Sequence, residues 1–299
     1  MYINIVKKKD YYMSTDITVG IPTYRRPDLL ERAIQSVLKQ TYKNIFINIS
    51  VDYHEESDEE YKKLQNKYLK YKNIKFNFQK INIGSLENFF YLSKNCNTEY
   101  FMWLADDDEM SSSLVASLKN KLISSTDIVC SCPYWVLKKK DKEKNIKPIT
   151  FESNNLLNRI FNYLKFNDDV FFYGLHKSKI LKEATFEGYW WPNKKNLANW
   201  AYVLQFDILL KGKICLVDDE NAKWINHDYG EKYYVRSIGK SFFKYLAYII
   251  RRINVYFYYV KKCFLNKNIF LSFLLIFISP LFFFRDIIFG EPIYKKINF

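Results

Sequence analysis

The sequence predicts an α/β protein on a mainly parallel mixed sheet, followed by a C-terminal helical extension that associates with membranes. Three observations carry this. Short β-branched runs alternate with helical stretches of ten or more residues as far as Cys130, and connections of that length suit parallel crossovers. The chain has 299 residues, 48% of them hydrophobic, near twice a typical domain of ~150 residues. The net charge of +14 is unevenly placed: residues 231–299 hold 12 Lys/Arg against 3 Asp/Glu, so +9 lies there and +5 in the first 230 residues. The expected organisation is an N-terminal extension at 1–14, an α/β domain at 15–230 and a basic, aromatic, helical membrane-association region at 231–299.

The elements follow in order. Ile17–Ile21 reads as a buried strand that Pro22-Thr23-Tyr24-Arg25-Arg26-Pro27 breaks. From Asp28 the pattern is helical, with Leu30, Ala33, Ile34, Val37 and Leu38 on one face and Asp28 and Glu31 suiting the N-terminal dipole. Ile45–Val51 is a second strand ending at Asp52. A charged helix at Ser57–Lys70 precedes a third strand at Ile74–Phe78. Gly84–Asn95 is a helix and Tyr100–Leu104 a fourth strand. Ser111–Ile123 is a helix and Asp127–Cys130 a fifth strand. Lys138–Lys147 reads as a charge-rich loop, and Lys213–Val217 as the last strand of the domain.

Composition narrows the classes. The hydrophobic content excludes a disordered chain, and 8 Gly with 7 Pro exclude collagen-like and linker-dominated chains. Cys96, Cys130, Cys132, Cys215 and Cys263 are too scattered for a disulfide scaffold and read as reduced thiols of a cytosolic compartment. Met1–Asp16 shows no signal-peptide pattern. The basic balance points to an anionic partner: a membrane surface, a nucleic acid or a nucleotide.

In parallel sheets ligands bind beyond the carboxyl ends of the strands, where strand order reverses. That directs attention to Pro22–Arg26, Asp52 and Asp106-Asp107-Asp108 after Leu104. Three adjacent carboxylates repel one another unless a cation sits among them. Mg²⁺ or Mn²⁺ held by one or two carboxylates and substrate phosphates is one reading, a solvated acidic turn the other. Asp52 is placed to accept from a ribose hydroxyl or base N–H, or is a turn residue.

Val19-Gly20-Ile21-Pro22-Thr23-Tyr24-Arg25-Arg26-Pro27, continued by Leu29–Asn44, resembles the opening of family 2 glycosyltransferases, inverting enzymes of the nucleotide-sugar-binding GT-A fold. Asn82-Ile83-Gly84 followed by Asn88 resembles their next element, and Leu104-Ala105-Asp106-Asp107-Asp108 their Asp-rich metal motif. Three ordered motifs make a specific signal. The resemblance runs from about Asp16 to Ser131 and more weakly to His227. It implies a nucleotide-diphosphate sugar donor bound by Pro22, Thr23, Tyr24, Arg26, Asp52, Asn82, Gly84, Asn88 and Asp106. It implies Mn²⁺ or Mg²⁺ at Asp106, Asp107 and Asp108; some GT-A enzymes add a late His that completes the metal or diphosphate site, so His227 reads as that ligand or as a loop residue. Where the family often has a second Asp after Asp52, this chain has Tyr53.

The family's general base is usually an acid shortly before a helix that ends near a Gly. The matching stretch, Pro192–Trp200 and on to Gly212, has Asn199 at that place, and an amide cannot take a proton. Either the base is Asp207, Glu187 or Asp168, or Asn199 only positions the acceptor, or the protein is weakened or inactive. Tyr189-Trp190-Trp191-Pro192 is an acceptor platform or core. His54 and His176 read as structural or exposed.

On a helical wheel Phe242, Leu246, Ile249, Ile250, Ile253, Phe257 and Val260 form one stripe, and Lys240, Lys244, Arg251 and Lys262 oppose it. That is the pattern of a helix lying in a membrane interface, or of one packed on the domain with a solvated basic face. Ile269–Phe284 is sixteen residues without a charge, short of the ~20 of a spanning helix, so a monotopic or re-entrant dip is expected over a short span. Lys261, Lys262, Lys267, Arg285, Lys295 and Lys296 would meet anionic headgroups. The expected partners are thus a nucleotide-sugar donor, a glycan or lipid-diphosphate-linked acceptor for surface polysaccharide, and an anionic membrane at the cytoplasmic face of the plasma membrane. A nucleic-acid binder is the rival that +14 suggests. It is disfavoured because the excess charge sits beside an apolar run and the front half carries acids.

Overall fold

The computed structural model describes residues 16–139, 142–166, 170–184, 200–227 and 242–289. The expected extension at 1–14 lies outside them.

β1 (Ile17–Thr23) leads through a tight turn into α1 (Pro27–Leu38), where Pro27 opens the helix and Asp28 sits in its first turn. There follow β2 (Ile45–Val51), a 3₁₀ turn (Glu55–Ser57), α2 (Asp58–Lys67), β3 (Ile74–Phe78), α3 (Ser85–Lys94) and β4 (Tyr100–Trp103). Next come β5 (Glu109–Met110), α4 (Leu114–Ile123), β6 (Ile128–Cys132), β7 (Tyr134–Lys139) and β8 (Lys142–Ile146). After α5 (Leu156–Phe166) come a 3₁₀ turn (Val170–Tyr173), β9 (Leu175–Lys177), α6 (Ser178–Glu183), α7 (Trp200–Lys211), β10 (Lys213–Leu216) and β11 (Lys223–His227). The C-terminal helices are α8 (Phe242–Leu265) and α9 (Ile269–Phe289).

The main sheet has the order β10-β6-β9-β4-β1-β2-β3, parallel except for β9, which runs antiparallel to β4 and β6. From β3 to β1 successive strands step one way, and β4 then adds on the other side of β1, so strand order reverses there. The register pairs Thr23 with Val51 and Gly20 with Trp103. Residues just past β2 and β4 therefore flank the end of β1.

A smaller sheet, β5-β11-β7-β8, backs this edge. Here the structure corrects the loop expected at Lys138–Lys147: most of it is the β7–β8 pair. One opposite-charge pair crosses the ladder, Lys138 opposite Glu143 and bonded to it at 2.7 Å.

Two cores fill the two faces of the main sheet. One gathers Ile17, Val19, Leu30, Ile34, Ile47 and Leu118 under α1, α2 and α4. The other gathers Phe101, Trp103, Tyr163 and Phe206, and it takes in Val255, Tyr259, Leu271 and Leu275 from the C-terminal helices. The ring of Phe206 stacks on that of Tyr259 with centroids 4.2 Å apart.

This packing revises the expected wheel of α8. Val255, Tyr256, Tyr259 and Cys263 are buried, whereas Ile253 and Phe257 of the predicted apolar stripe are exposed. Lys262, expected on a solvated basic face, is only 1% exposed and reaches Asp207 of α7 across 3.6 Å. Asn266 Nδ2 donates to the same carboxylate at 2.9 Å. Arg285, expected among headgroups, donates instead to the carbonyls of Leu164 and Lys165 at the end of α5, satisfying a helix terminus. α8 and α9 pack together as a hairpin whose turn places Lys267 at φ 60°. Among the described residues no helix is long and apolar enough to cross a membrane.

Candidate active site

The reversal point of the main sheet brings together three stretches. The first is Thr23–Arg26. Arg25 takes the left-handed conformation at φ 61°, and the N–H of Arg26 donates to the Tyr61 hydroxyl of α2 at 3.0 Å. That hydroxyl also shares a 2.7 Å hydrogen bond with Thr23 Oγ1. Burial pushes the Tyr61 phenol up to about 12, which keeps it a neutral bridge between strand end and helix.

The second stretch is Asp52 with the loop before α3. Asp52 Oδ1 accepts from the N–H groups of Tyr53 at 3.0 Å and Ile83 at 2.8 Å, and Oδ2 from that of Gly84 at 3.0 Å. Gly84 sits at φ 83°, a conformation that side chains rarely adopt, and so can turn its N–H to the carboxylate. Asn88 is buried and its Nδ2 donates to the carbonyls of Ser50 at 3.2 Å and Thr23 at 3.4 Å, stitching the ends of β1 and β2. Asn82 Nδ2 donates to the Tyr53 carbonyl at 3.4 Å.

The third stretch is the acidic run. Arg26 spans its first two members, Nη2 to Asp106 Oδ1 and Nη1 to Asp107 Oδ2, both at 2.6 Å. Arg32 of α1 donates from Nη2 to the Asp107 carbonyl at 2.6 Å. Asp108 Oδ2 accepts from Trp224 Nε1 at 2.8 Å and Oδ1 from Asn226 Nδ2 at 2.9 Å. Burial pushes the carboxyls of Asp106 and Asp108 up to about 7; Arg26 opposes the shift at Asp106, the charge of Asp107 adds to both, and the Trp224 and Asn226 bonds oppose it at Asp108.

The structure thus collects Pro22, Thr23, Tyr24, Arg26, Asp52, Gly84, Asn88, Asp106 and Asp107 at one sheet edge. Tyr24 keeps an exposed ring, edge-on to His54 at 5.5 Å. Other expectations are corrected. Asp108 serves the fold, because alternate residues Trp224 and Asn226 of β11 both face it. Pairing of Ile225 with Glu109 brings His227 Nε2 to donate to Glu109 Oε1 at 2.7 Å. Asp207, expected as a base or a surface residue, is buried against α8, where it meets Lys262 and Asn266. His176 is buried and donates to the Phe172 carbonyl at 3.0 Å, and desolvation lowers its pKa to about 4. Asn199, Glu187, Asp168 and the Tyr189–Pro192 aromatics lie outside the described residues. Sequence reasoning missed Tyr61, Arg32, Trp224 and Asn226. Only Arg32 lay inside a recognised motif.

No three His, Cys, Asp or Glu side chains among the described residues form a ready ligand set. Asp106 and Asp107 nonetheless fit a divalent cation. They are two hard oxygen donors already drawn around one positive group, the number that leaves room for diphosphate oxygens to complete the sphere.

Comparisons with known proteins agree with this arrangement. A model described as glycosyl transferase family 2 matches residues 18–185, more than half of the chain. An uncharacterized glycosyltransferase of Rickettsia typhi is 31% identical over 127 residues, 42% of this chain and 38% of that protein. One from Rickettsia felis is 30% identical over 145 residues, 48% of this chain and 23% of that protein. The match therefore spans under two fifths of either relative. Among solved structures, S. aureus TarS 1–349 in complex with UDP-GlcNAc has a TM-score of 0.58 at 14% identity, covering 80% of this chain and 66% of that one. The mannosyltransferase PcManGT from Pyrobaculum calidifontis, solved with GDP-Man and Mn²⁺, has a TM-score of 0.51 at 9% identity, covering 88% and 71%. At such identities the likeness is one of fold, and the fold is GT-A-like, as the sequence led one to expect.

Proposed function

The chain belongs to glycosyl transferase family 2, and on that premise we propose that it moves a sugar, with inversion, from a nucleotide-diphosphate sugar to a glycan acceptor carried on a lipid diphosphate, in surface-polysaccharide synthesis. The observation that carries the donor half is the meeting of Thr23, Asp52, Asp106 and Asp107 beyond the carboxyl ends of β1, β2 and β4, at the reversal of strand order.

In this reading Thr23, Tyr24 and Asp52 line the nucleoside side. Asp52 also sets the backbone of Ile83 and Gly84. Asp106 faces the ribose and, with Asp107, would hold Mn²⁺ or Mg²⁺. When bound, that cation supplies charge neutralisation for the leaving diphosphate. Arg26 adds a positive group at the same edge. The general base is assigned to the segments outside the described residues, where Glu187 and Asp168 lie, since Asp207 is committed to Lys262.

The membrane half is supported by the α8–α9 hairpin. Ile253, Phe257, Phe270, Phe273, Phe277, Leu281 and Phe284 are exposed along it, and Lys261 and Lys267 are exposed at its turn end. We place the protein at the cytoplasmic face of the plasma membrane with this face dipping into the leaflet, where a lipid-linked acceptor would be presented.

The test is turnover of a panel of UDP- and GDP-sugars with Mn²⁺, read as released nucleotide diphosphate. Activity is expected with at least one donor. Asp107→Asn should lower it by about 10²–10³-fold, the cost of one lost group that stabilises developing charge. An Asp107→Asn enzyme as active and as Mn²⁺-dependent as the parent would remove Asp107 from the site.

A further inference from the structure

The small sheet sorts its charges between its two faces. Residues paired across a ladder share a face, and successive residues alternate. Between β11 and β7, Trp224 pairs with Trp135 and Asn226 with Leu137. Between β7 and β8, Leu137 pairs with Lys144 and Lys139 with Lys142. All of these lie on one face, and the rings of Trp135 and Trp224 stack there with centroids 5.5 Å apart. It is the face turned to the acidic run, because Trp224 Nε1 and Asn226 Nδ2 both donate to Asp108. Both glutamates of the sheet lie on the opposite face, Glu109 with His227 and Glu143 with Lys138.

The near face therefore runs from Asp108 through Asn226 and Leu137 to Lys144 and on to Lys142, with no acidic side chain from the sheet itself. Lys144 lies two strand steps from Asn226, about 10 Å, and Lys142 about 7 Å further along the ladder. Lys142 is exposed and Lys144 half-buried, and neither has an ion-pair partner among the described residues. An acceptor carried on a diphosphate brings negative charge towards an edge that already holds Asp106, Asp107 and Asp108. Positive groups along the approach offset that repulsion. Two ammonium groups set back from the acidic run leave room for a sugar between the reacting hydroxyl and the diphosphate. Lysine grips phosphate as a point charge, without the fixed planar geometry of arginine.

On the reading of the acceptor as lipid-diphosphate-linked, we propose that this face of the β7–β8 ladder, at Lys142 and Lys144, seats the acceptor's diphosphate and directs its sugar towards the acidic run. The two substrates then have separate anion sites. The donor diphosphate lies at the strand ends of the main sheet and the acceptor diphosphate on the small sheet, where it needs no metal.

The probe is farnesyl diphosphate, with farnesol as its uncharged counterpart, titrated calorimetrically into the full chain in EDTA. The parent should bind the diphosphate about tenfold or more tighter than farnesol, the difference that charge-assisted contacts supply. Lys142→Gln with Lys144→Gln should weaken farnesyl diphosphate by about tenfold and leave farnesol unchanged, whereas Lys142→Arg with Lys144→Arg should keep the parent's affinity. Sedimentation with phosphatidylglycerol vesicles should differ less than about twofold between parent and Gln variant, since one diphosphate seat is not a headgroup patch. Donor turnover by the parent, read as released nucleotide diphosphate, keeps the two readings apart. If the parent turns over donor but parent and Gln variant bind farnesyl diphosphate alike, the seat at the lysines is overturned and the transferase stands. A Gln variant that loses vesicle binding as much as farnesyl diphosphate also overturns the seat, in favour of bulk lipid. If the parent does not distinguish farnesyl diphosphate from farnesol, the lipid-diphosphate acceptor falls with the seat. A parent that turns over no donor overturns the reading on which the seat depends.

Discussion

The carboxyl edge of the main sheet and the α8–α9 hairpin break the ordinary rule of burial in opposite senses. At the sheet edge Asp52, Asp106, Asp107 and Asp108 are all buried, where ionised groups are costly unless paired and hydrogen-bonded. Each is met by a different device: backbone N–H groups at Asp52, a shared guanidinium at Asp106 and Asp107, and two side-chain donors at Asp108. On the hairpin, large apolar side chains stand in the open, on a contiguous face of the kind that marks an interaction surface. The difference teaches where external partners are called for. Asp52 and Asp108 are hydrogen-bonded by the chain itself, Asp106 and Asp107 meet the fork of Arg26, and the hairpin face has no counterpart within the described fold.

The root of the hairpin combines both behaviours, and it offers the largest way to break the comparison. Lys262 and Asp207 form a buried pair in the seam between α7 and α8. Lys262→Met should cost about 3–5 kcal/mol in urea unfolding, because it takes the ion-pair partner from a buried carboxylate, while Asp207→Leu with Lys262→Met should recover most of the loss. A loss below about 1 kcal/mol for the single variant would mean that the pair is not dry.

Next in size is His176, which answers burial by giving up its charge. Its pKa of about 4 lies below the ordinary 6.5. The unfolded chain therefore takes up the proton first as pH falls. This group's contribution is complete above about 6.5 and is lost as pH drops through about 4, on the order of 1–3 kcal/mol in all. His176→Gln should flatten that part of the stability–pH curve relative to the parent; parallel curves would contradict it.

The smallest effect sharpens the hairpin side. Phe257→Ser with Phe277→Ser should weaken sedimentation with phosphatidylglycerol-containing vesicles by about tenfold or more. Stability should stay within about 0.5 kcal/mol, since both rings are exposed. Unchanged vesicle binding would point the exposed face toward something other than lipid.

Much of the front of the molecule was legible before folding. Ile45–Val51 and Ile74–Phe78 are strands over the residues their β-branched and aromatic runs mark. Asp52 and the acidic run stand at strand ends where the parallel pattern puts ligands. What periodicity could not supply was the identity of neighbours. Lys138–Lys147 looks solvated until the partner strand is known. The wheel of α8 carries apolar residues nearly all round, Tyr259 and Cys263 as well as Ile253 and Phe257, so hydrophobicity could not say which side meets the protein.

The sequence by itself determined the α/β class, the strand ends where the acidic residues gather and the basic, apolar character of the tail. These are local properties, set by periodicity and by the residues that end each element. Tertiary structure decided which carboxylates are already spoken for: Trp224 and Asn226 take Asp108, Glu109 takes His227, Lys262 takes Asp207, and Arg26 bridges Asp106 and Asp107. Each of these pairings joins residues between 55 and 118 positions apart or closed only by a crossover. A charge's role depends on what burial places against it, and burial is a property of the packed whole.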